Sequence, residues 1–167
     1  LLLAAWLSGA LLVAGVGLGQ YATKEMVISA EGVQRVRAFY GSPNNLALYL
    51  ERALAPLLAV ALFTQRPAWR WLGAGSALLV GSALLLTFSK GALLCGLPVM
   101  LVTLWVGGLV LLRQRDQSTR VLWGLAAIGA LALVALTPFL ATERFQRLLD
   151  FQGGSGFVRL QLWRSAW

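Results

Sequence analysis

The sequence contains no histidine, a single cysteine and only six acidic residues. Without histidine there is neither an imidazole base nor an imidazole metal ligand, and Cys95 has no thiol partner for a disulfide or a zinc site. That cysteine lies inside an apolar run and reads as a small packing residue. The acids (Glu25, Glu31, Glu51, Asp116, Glu143 and Asp150) are too dispersed for a carboxylate cluster around a divalent ion. No metal or other cofactor is therefore expected. A phosphate loop of the G-x-x-x-x-G-K-[ST] type and a G-x-S-x-G nucleophile elbow are also missing.

Charge is scarce too. Charged residues make up 12% of the chain, against about 25% in a typical soluble domain, while 59% are hydrophobic. A domain of 167 residues leaves too much of its surface exposed to hide that surplus, so lipid must cover it. The seven tryptophans mostly lie near the ends of apolar runs, the aromatic-belt pattern of a bilayer interface. The charge that remains is basic, net +8, and is scattered through short segments between apolar runs. A stripe or arm would suit nucleic acid; this distribution suits anionic lipid or glycolipid, and no nucleic-acid partner is expected.

The expected fold is all-α, a polytopic transmembrane helical bundle with about five spans: 1–19, 46–63, 71–88, 92–112 and 121–141. An external loop fills 20–45, and Pro56 marks a kink in the second span. Residues 71–112 hold one charge, Lys90. As a single helix they would reach about 63 Å, twice a hydrocarbon core of about 30 Å, so the run must fold back. The reversal is expected at Ser89-Lys90-Gly91, where the charge meets a glycine. Residues 142–167 open an external segment of short amphipathic helices broken at Gly153-Gly154-Ser155-Gly156. The chain begins Leu1-Leu2-Leu3 without Met and without a basic leader, and it is expected to be an interior piece of a longer membrane protein, inactive alone.

Alternation puts the turns 64–70 and 113–120 on one face and 20–45, 89–91 and 142–167 on the other. Five basic residues fall in the two short turns and eight on the opposite face. The positive-inside rule weights short loops, so the two turns are expected to be cytoplasmic. The eight opposite them then need a functional reason.

Four features could supply one. Arg35 and Arg37 precede Gly41-Ser-Pro-Asn44, where Ser42 or Asn44 can cap the second span, and an arginine fork suits phosphate. Glu51 and Arg52 lie inside an apolar span, where ionised groups cost at least about 2.5–3.5 kcal/mol, and being adjacent they do not face each other. Arg52 either snorkels to the interface or lines a polar cavity. Lys90 is a headgroup anchor or a ligand. Arg159 and Trp163 share a face at i, i+4, as in a surface-lying helix.

In this order the features resemble the O-antigen ligase and polymerase family of bacterial membrane glycosyltransferases. The likeness rests on Arg37-Ala-Phe-Tyr-Gly-Ser-Pro-Asn44, on Thr87-Phe-Ser-Lys-Gly-Ala-Leu-Leu94 and on Gly156-Phe-Val-Arg159-Leu-Gln-Leu-Trp163-Arg-Ser-Ala166, and covers residues from about 35 onward. It implies part of a larger GT-C-like bundle in the bacterial inner (cytoplasmic) membrane with a periplasmic or extracellular active face. The donor would be an undecaprenyl-diphosphate-linked glycan, and the acceptor a glycan, lipid or protein hydroxyl. The implied reaction inverts the anomeric centre without metal, arginines stabilising the departing diphosphate. Lys90 and Arg159 are the implied catalytic ligands, with Arg35, Arg37, Asn44, Arg52 and Trp163 binding diphosphate or glycan. Lys90 departs from the family's usual arginine, keeping the charge without the fork, and the histidine of the family's ligases has no counterpart here. Two other readings stand beside this one: a transporter or flippase for an anionic lipid-linked glycan, and a structural membrane subunit.

Overall fold

The structure is a computed structural model that describes residues 1–115, 120–143, 161–162 and 164–165. Five helices dominate it: α1 (Leu2–Thr23), α2 (Pro43–Phe63), α3 (Pro67–Leu86), α4 (Leu97–Arg115) and α5 (Arg120–Leu140). The protein is an all-α bundle. Among the described residues, four stretches are long and apolar enough to cross a membrane: Leu2–Thr23, Pro43–Phe63, Pro67–Leu86 and Ala92–Leu111. Their 20–22 residues reach about 30–33 Å as helix, the thickness of a hydrocarbon core. In α5 the described apolar stretch, Trp123–Thr137, is shorter.

The helix ends follow from local chemistry. α1 continues past Gly19 to Thr23 because Gln20 turns inward, where it is 9% exposed, and Lys24 closes the helix in the left-handed conformation at φ 59°. α2 starts at Pro43, earlier than residue 46, because Ser42 caps it: its hydroxyl accepts from the Asn45 N–H at 3.3 Å. The helix runs unbroken through Pro56 to Phe63. Pro67 opens α3 in the first turn, where its missing N–H costs nothing.

Two further features of the fold differ from the sequence expectation. The loop 20–45 contains an antiparallel hairpin, β1 (Ile28–Ala30) against β2 (Val33–Arg35), in register Ile28↔Arg35 and Ala30↔Val33. Its two-residue turn places Glu31 and Gly32 at φ 51° and 75°, the double positive φ that matches strand twist. The α3–α4 reversal is centred on Thr87 and Phe88, not on Gly91, which is already helical at φ −64°. Phe88 takes the left-handed position at φ 48°.

After the reversal the helix widens into a π turn over Ala92–Gly96, with the Leu97 N–H reaching the Ala92 carbonyl. Pro98 explains the widening. It offers no N–H to the Leu94 carbonyl four residues back, and its ring crowds that carbonyl.

α2 is the hub. Its buried face (Leu46, Ala47, Leu50, Ala53, Leu54, Leu57 and Leu58) packs most extensively on α3. Lipid tails are as apolar as leucine, so close backbone contact rather than water exclusion holds membrane helices together. Gly73 shows this: a Cβ there would stand 2.9 Å from the Ala61 nitrogen and 3.1 Å from the Leu57 oxygen. Ser76, Ala77, Val80 and Ala83 continue that α3 face, against which α1 also lies.

Candidate functional site

The ends of α1 and α3 and the starts of α2 and of the helix after Ser89 lie at one end of the bundle, and the loop 24–42 folds over the α3 C-terminus there. The last carbonyls of α3 need partners. Leu84 O accepts from the Thr87 N–H at 3.1 Å and its hydroxyl at 2.6 Å; Leu85 O accepts from Phe88 N–H at 3.0 Å. Leu86 O accepts from Val36 N–H at 3.2 Å, so β2's exit strand caps a helix fifty residues on. Arg35 completes the arrangement. Its Nε donates to the Thr87 carbonyl at 2.7 Å and its Nη2 to Asn44 Oδ1 at 2.7 Å. The residue is 6% exposed, and a cation at the negative end of α3 is favourably placed. Arg35 and Asn44 therefore tie the hairpin, the reversal and the α2 start into one unit.

Lys90 belongs to the same end. Its ammonium lies 3.4 Å from the Glu31 carboxylate, with side chains 18% and 21% exposed. Pairs that face solvent in part contribute only about 0–1 kcal/mol, so a stronger anion could displace Glu31.

Arg37 differs from both. Its Nε is buried and is the one side-chain nitrogen or oxygen among the described residues found buried without a hydrogen-bond partner. A guanidinium N–H left so is costly and calls for an acceptor. The backbone around it is rigidly set. Tyr40 N–H donates to the Arg37 carbonyl at 2.9 Å, and Ala38 between them sits at φ 48°. The Gln20 amide holds this strained residue from both sides: it donates to the Ala38 carbonyl at 3.1 Å and accepts from its N–H at 2.9 Å. Tyr40 stacks near Tyr49 at a 5.6 Å centroid distance, and Tyr49 meets Trp6 edge-on and donates to its carbonyl at 3.3 Å. Burial, and then the neighbouring Tyr49, push the Tyr40 phenol above its ordinary 10.0.

Arg52 is placed elsewhere. With Glu51 it lines an open cleft of about 430 Å³ between α2 and the α4 helix, walled by Ala55, Cys95, Gly96, Val99, Met100, Thr103 and Leu104. Arg52 is nine residues into α2, about 13 Å from its start, so it belongs to the depth of the bundle rather than its end. Arg159 and Trp163 lie outside the described residues. The sequence candidates thus divide: Arg35, Arg37, Asn44 and Lys90 share one end, and Arg52 stands apart with Glu51. No group of three or more Cys, Asp or Glu that could hold a metal ion occurs among the described residues.

Sequence reasoning missed Gln20 and Glu31, which position this end. For Glu31 a signal existed, since Glu31-Gly32 between Val-Ile-Ser-Ala and Val-Gln-Arg-Val suits a hairpin turn. Gln20 ends an otherwise apolar run, and only its contact with Ala38 gives it meaning. No protein-family model, no curated protein and no solved structure matches the chain.

Proposed function

We propose that the protein works as a membrane glycosyltransferase of the O-antigen ligase or polymerase type, with the end bearing β1, β2 and the α3–α4 reversal as its diphosphate-binding face. The observation that carries this reading is the buried, unpartnered Nε of Arg37 at an end that also gathers Arg35 and Lys90. Arg37 receives a phosphate oxygen, and Lys90 exchanges Glu31 for a second one. Arg35 and Asn44, already bonded within the protein, hold the frame. Arg159 and Trp163, which the resemblance assigns to the same site, lie outside the described residues.

In the reaction an acceptor hydroxyl attacks the anomeric carbon of an undecaprenyl-diphosphate-linked glycan, the carbon–oxygen bond to the diphosphate breaks, and configuration inverts. Charge builds on the leaving oxygen, where fixed cations act without reorganising. The hydroxyl proton passes to a base that is not a histidine of this chain. The setting is the bacterial inner membrane, the basic end facing the periplasm. The test is glycan attachment or chain length in cells making the full-length gene product. Arg37→Ala and Lys90→Ala should each cut transfer at least tenfold with unchanged protein level, and Lys90→Arg should restore it. Full transfer in both alanine variants contradicts the reading.

One observation favours a second reading, a flippase for an anionic lipid-linked glycan: the cleft that holds Arg52 at depth, beside a distorted helix. Movement of a fluorescent lipid-diphosphate glycan across proteoliposomes, lost in Arg52→Ala and kept in Arg37→Ala, would select it.

A further inference from the structure

The α2–α4 cleft holds a carboxyl group that neither the basic end nor the transfer reaction uses. Glu51 stands eight residues into the 21-residue α2, close to mid-span. It faces the one π-helical turn found among the described residues, Ala92–Gly96, and its carboxyl group fills the position that a side chain on Gly96 would take. Gly96 is thus the seat of Glu51: any Cβ would evict it. Arg52 shares the cleft and is exposed, as is Cys95 on the π turn. Among the described residues lining the cleft, Arg52 and Cys95 are the other groups able to carry charge; Ala55, Val99, Met100, Thr103 and Leu104 do not titrate.

We propose that this cleft is an intramembrane proton-binding site, with Glu51 as the binding group, Gly96 and the π turn as the seat of its neutral form, and the open side of the cleft, which Arg52 also lines, as the place of its ionised form. A neutral carboxyl needs little solvation and packs on the widened turn. On losing its proton to water in the cleft, the carboxylate leaves Gly96 and turns into the open cleft, and the π turn that carries Cys95 is released. The carboxyl cannot occupy both places in one rotamer. Two positions follow for one side chain, selected by one proton. Such a site serves either functional reading and rests on neither.

The experiment uses the full-length protein in native membranes. Dicyclohexylcarbodiimide dissolves in lipid and reacts with neutral carboxyl groups, so mass spectrometry should find its adduct on Glu51. The yield should fall severalfold as the pH is raised from about 5 to about 9, because the ionised carboxylate does not react. Absence of the lipid-soluble adduct throughout that range would overturn the proposal. The natural cysteine on the π turn reports that release. The alkylation rate of Cys95 by N-ethylmaleimide, divided by the rate in Glu51→Gln at the same pH, isolates the part that depends on the Glu51 carboxyl group. That ratio should rise severalfold with pH, and in Gly96→Ala the rate should be high at every pH. A ratio that stays flat in the wild-type protein contradicts the coupling of Glu51 to the cleft, whether or not Gly96→Ala folds.

Discussion

Replacing Arg35 by alanine distinguishes a structural tie from a substrate ligand. The wild-type side chain makes two short charge-assisted bonds, to Thr87 O and Asn44 Oδ1, each 2.7 Å, and is 6% exposed. Hydrogen bonds to charged groups contribute about 1.5–3 kcal/mol each, and an acceptor stranded in the interior costs about 1–3 kcal/mol. The two bonds share one donor group and do not add fully, so Arg35→Ala should cost about 3 kcal/mol, roughly a hundredfold in the folded-to-unfolded ratio. Arg35→Lys should lose most of that as well, because an ammonium cannot present the two bonds from one fork. The assay is equilibrium unfolding in mixed micelles, with Asn44→Ala and the double variant closing a cycle. Asn44→Ala alone should cost about 1.5 kcal/mol, and the pair should couple by a similar amount. If Arg35→Ala keeps full stability but loses lipid-diphosphate binding, the side chain is a ligand and the tie reasoning fails.

Gln20→Leu should lower stability by about 2–4 kcal/mol, because the Ala38 N–H and carbonyl both lose their partners in the interior. Release of the strained Ala38 turn should then speed proteolysis within the loop, which limited digestion will show. Gly73→Ala should cost about 1–3 kcal/mol by forcing α2 and α3 apart, whereas Gly75→Ala, with open space around it, should be neutral or gain up to about 1 kcal/mol. Equal effects at the two glycines would contradict the close-approach argument. Absorbance at alkaline pH should show a late-titrating phenol above 10.0 that disappears in Tyr40→Phe. Since the folded protein holds the Tyr40 proton more tightly than the unfolded chain, its contribution is complete below the ordinary value and is lost as pH rises through the folded one.

The helices were legible because apolar runs leave few alternatives: a stretch of 42 residues with one charge must cross twice. Where it turns was legible to within two residues, but the residue that takes the positive φ was not. Gly91 is the natural choice by intrinsic freedom, yet Phe88 occupies that conformation where Val36 and Arg35 hold the two carbonyls that precede it, those of Leu86 and Thr87. Such tertiary bonds carry no local signature. The same reason hid the roles of Arg35 and Lys90. Arg35 read as a phosphate ligand and Lys90 as a headgroup anchor or ligand, whereas Thr87 and Glu31, which they meet in the fold, lie more than fifty residues away in sequence. Arg52 was legible as an oddity, a charge in an apolar span, and in the fold it is exposed and lines an open cleft beside Glu51. The π turn beside it follows from Pro98 only once the preceding residues are known to be helical.

Binding of undecaprenyl diphosphate to the full-length protein in lipid nanodiscs tests the proposed diphosphate face. Arg37→Ala should weaken binding at least tenfold relative to wild type, Arg52→Ala should leave it within about twofold, and undecaprenol, which lacks phosphate, should not compete. Equal affinity in wild type and Arg37→Ala, or competition by undecaprenol, would mean that the buried Nε of Arg37 awaits no phosphate.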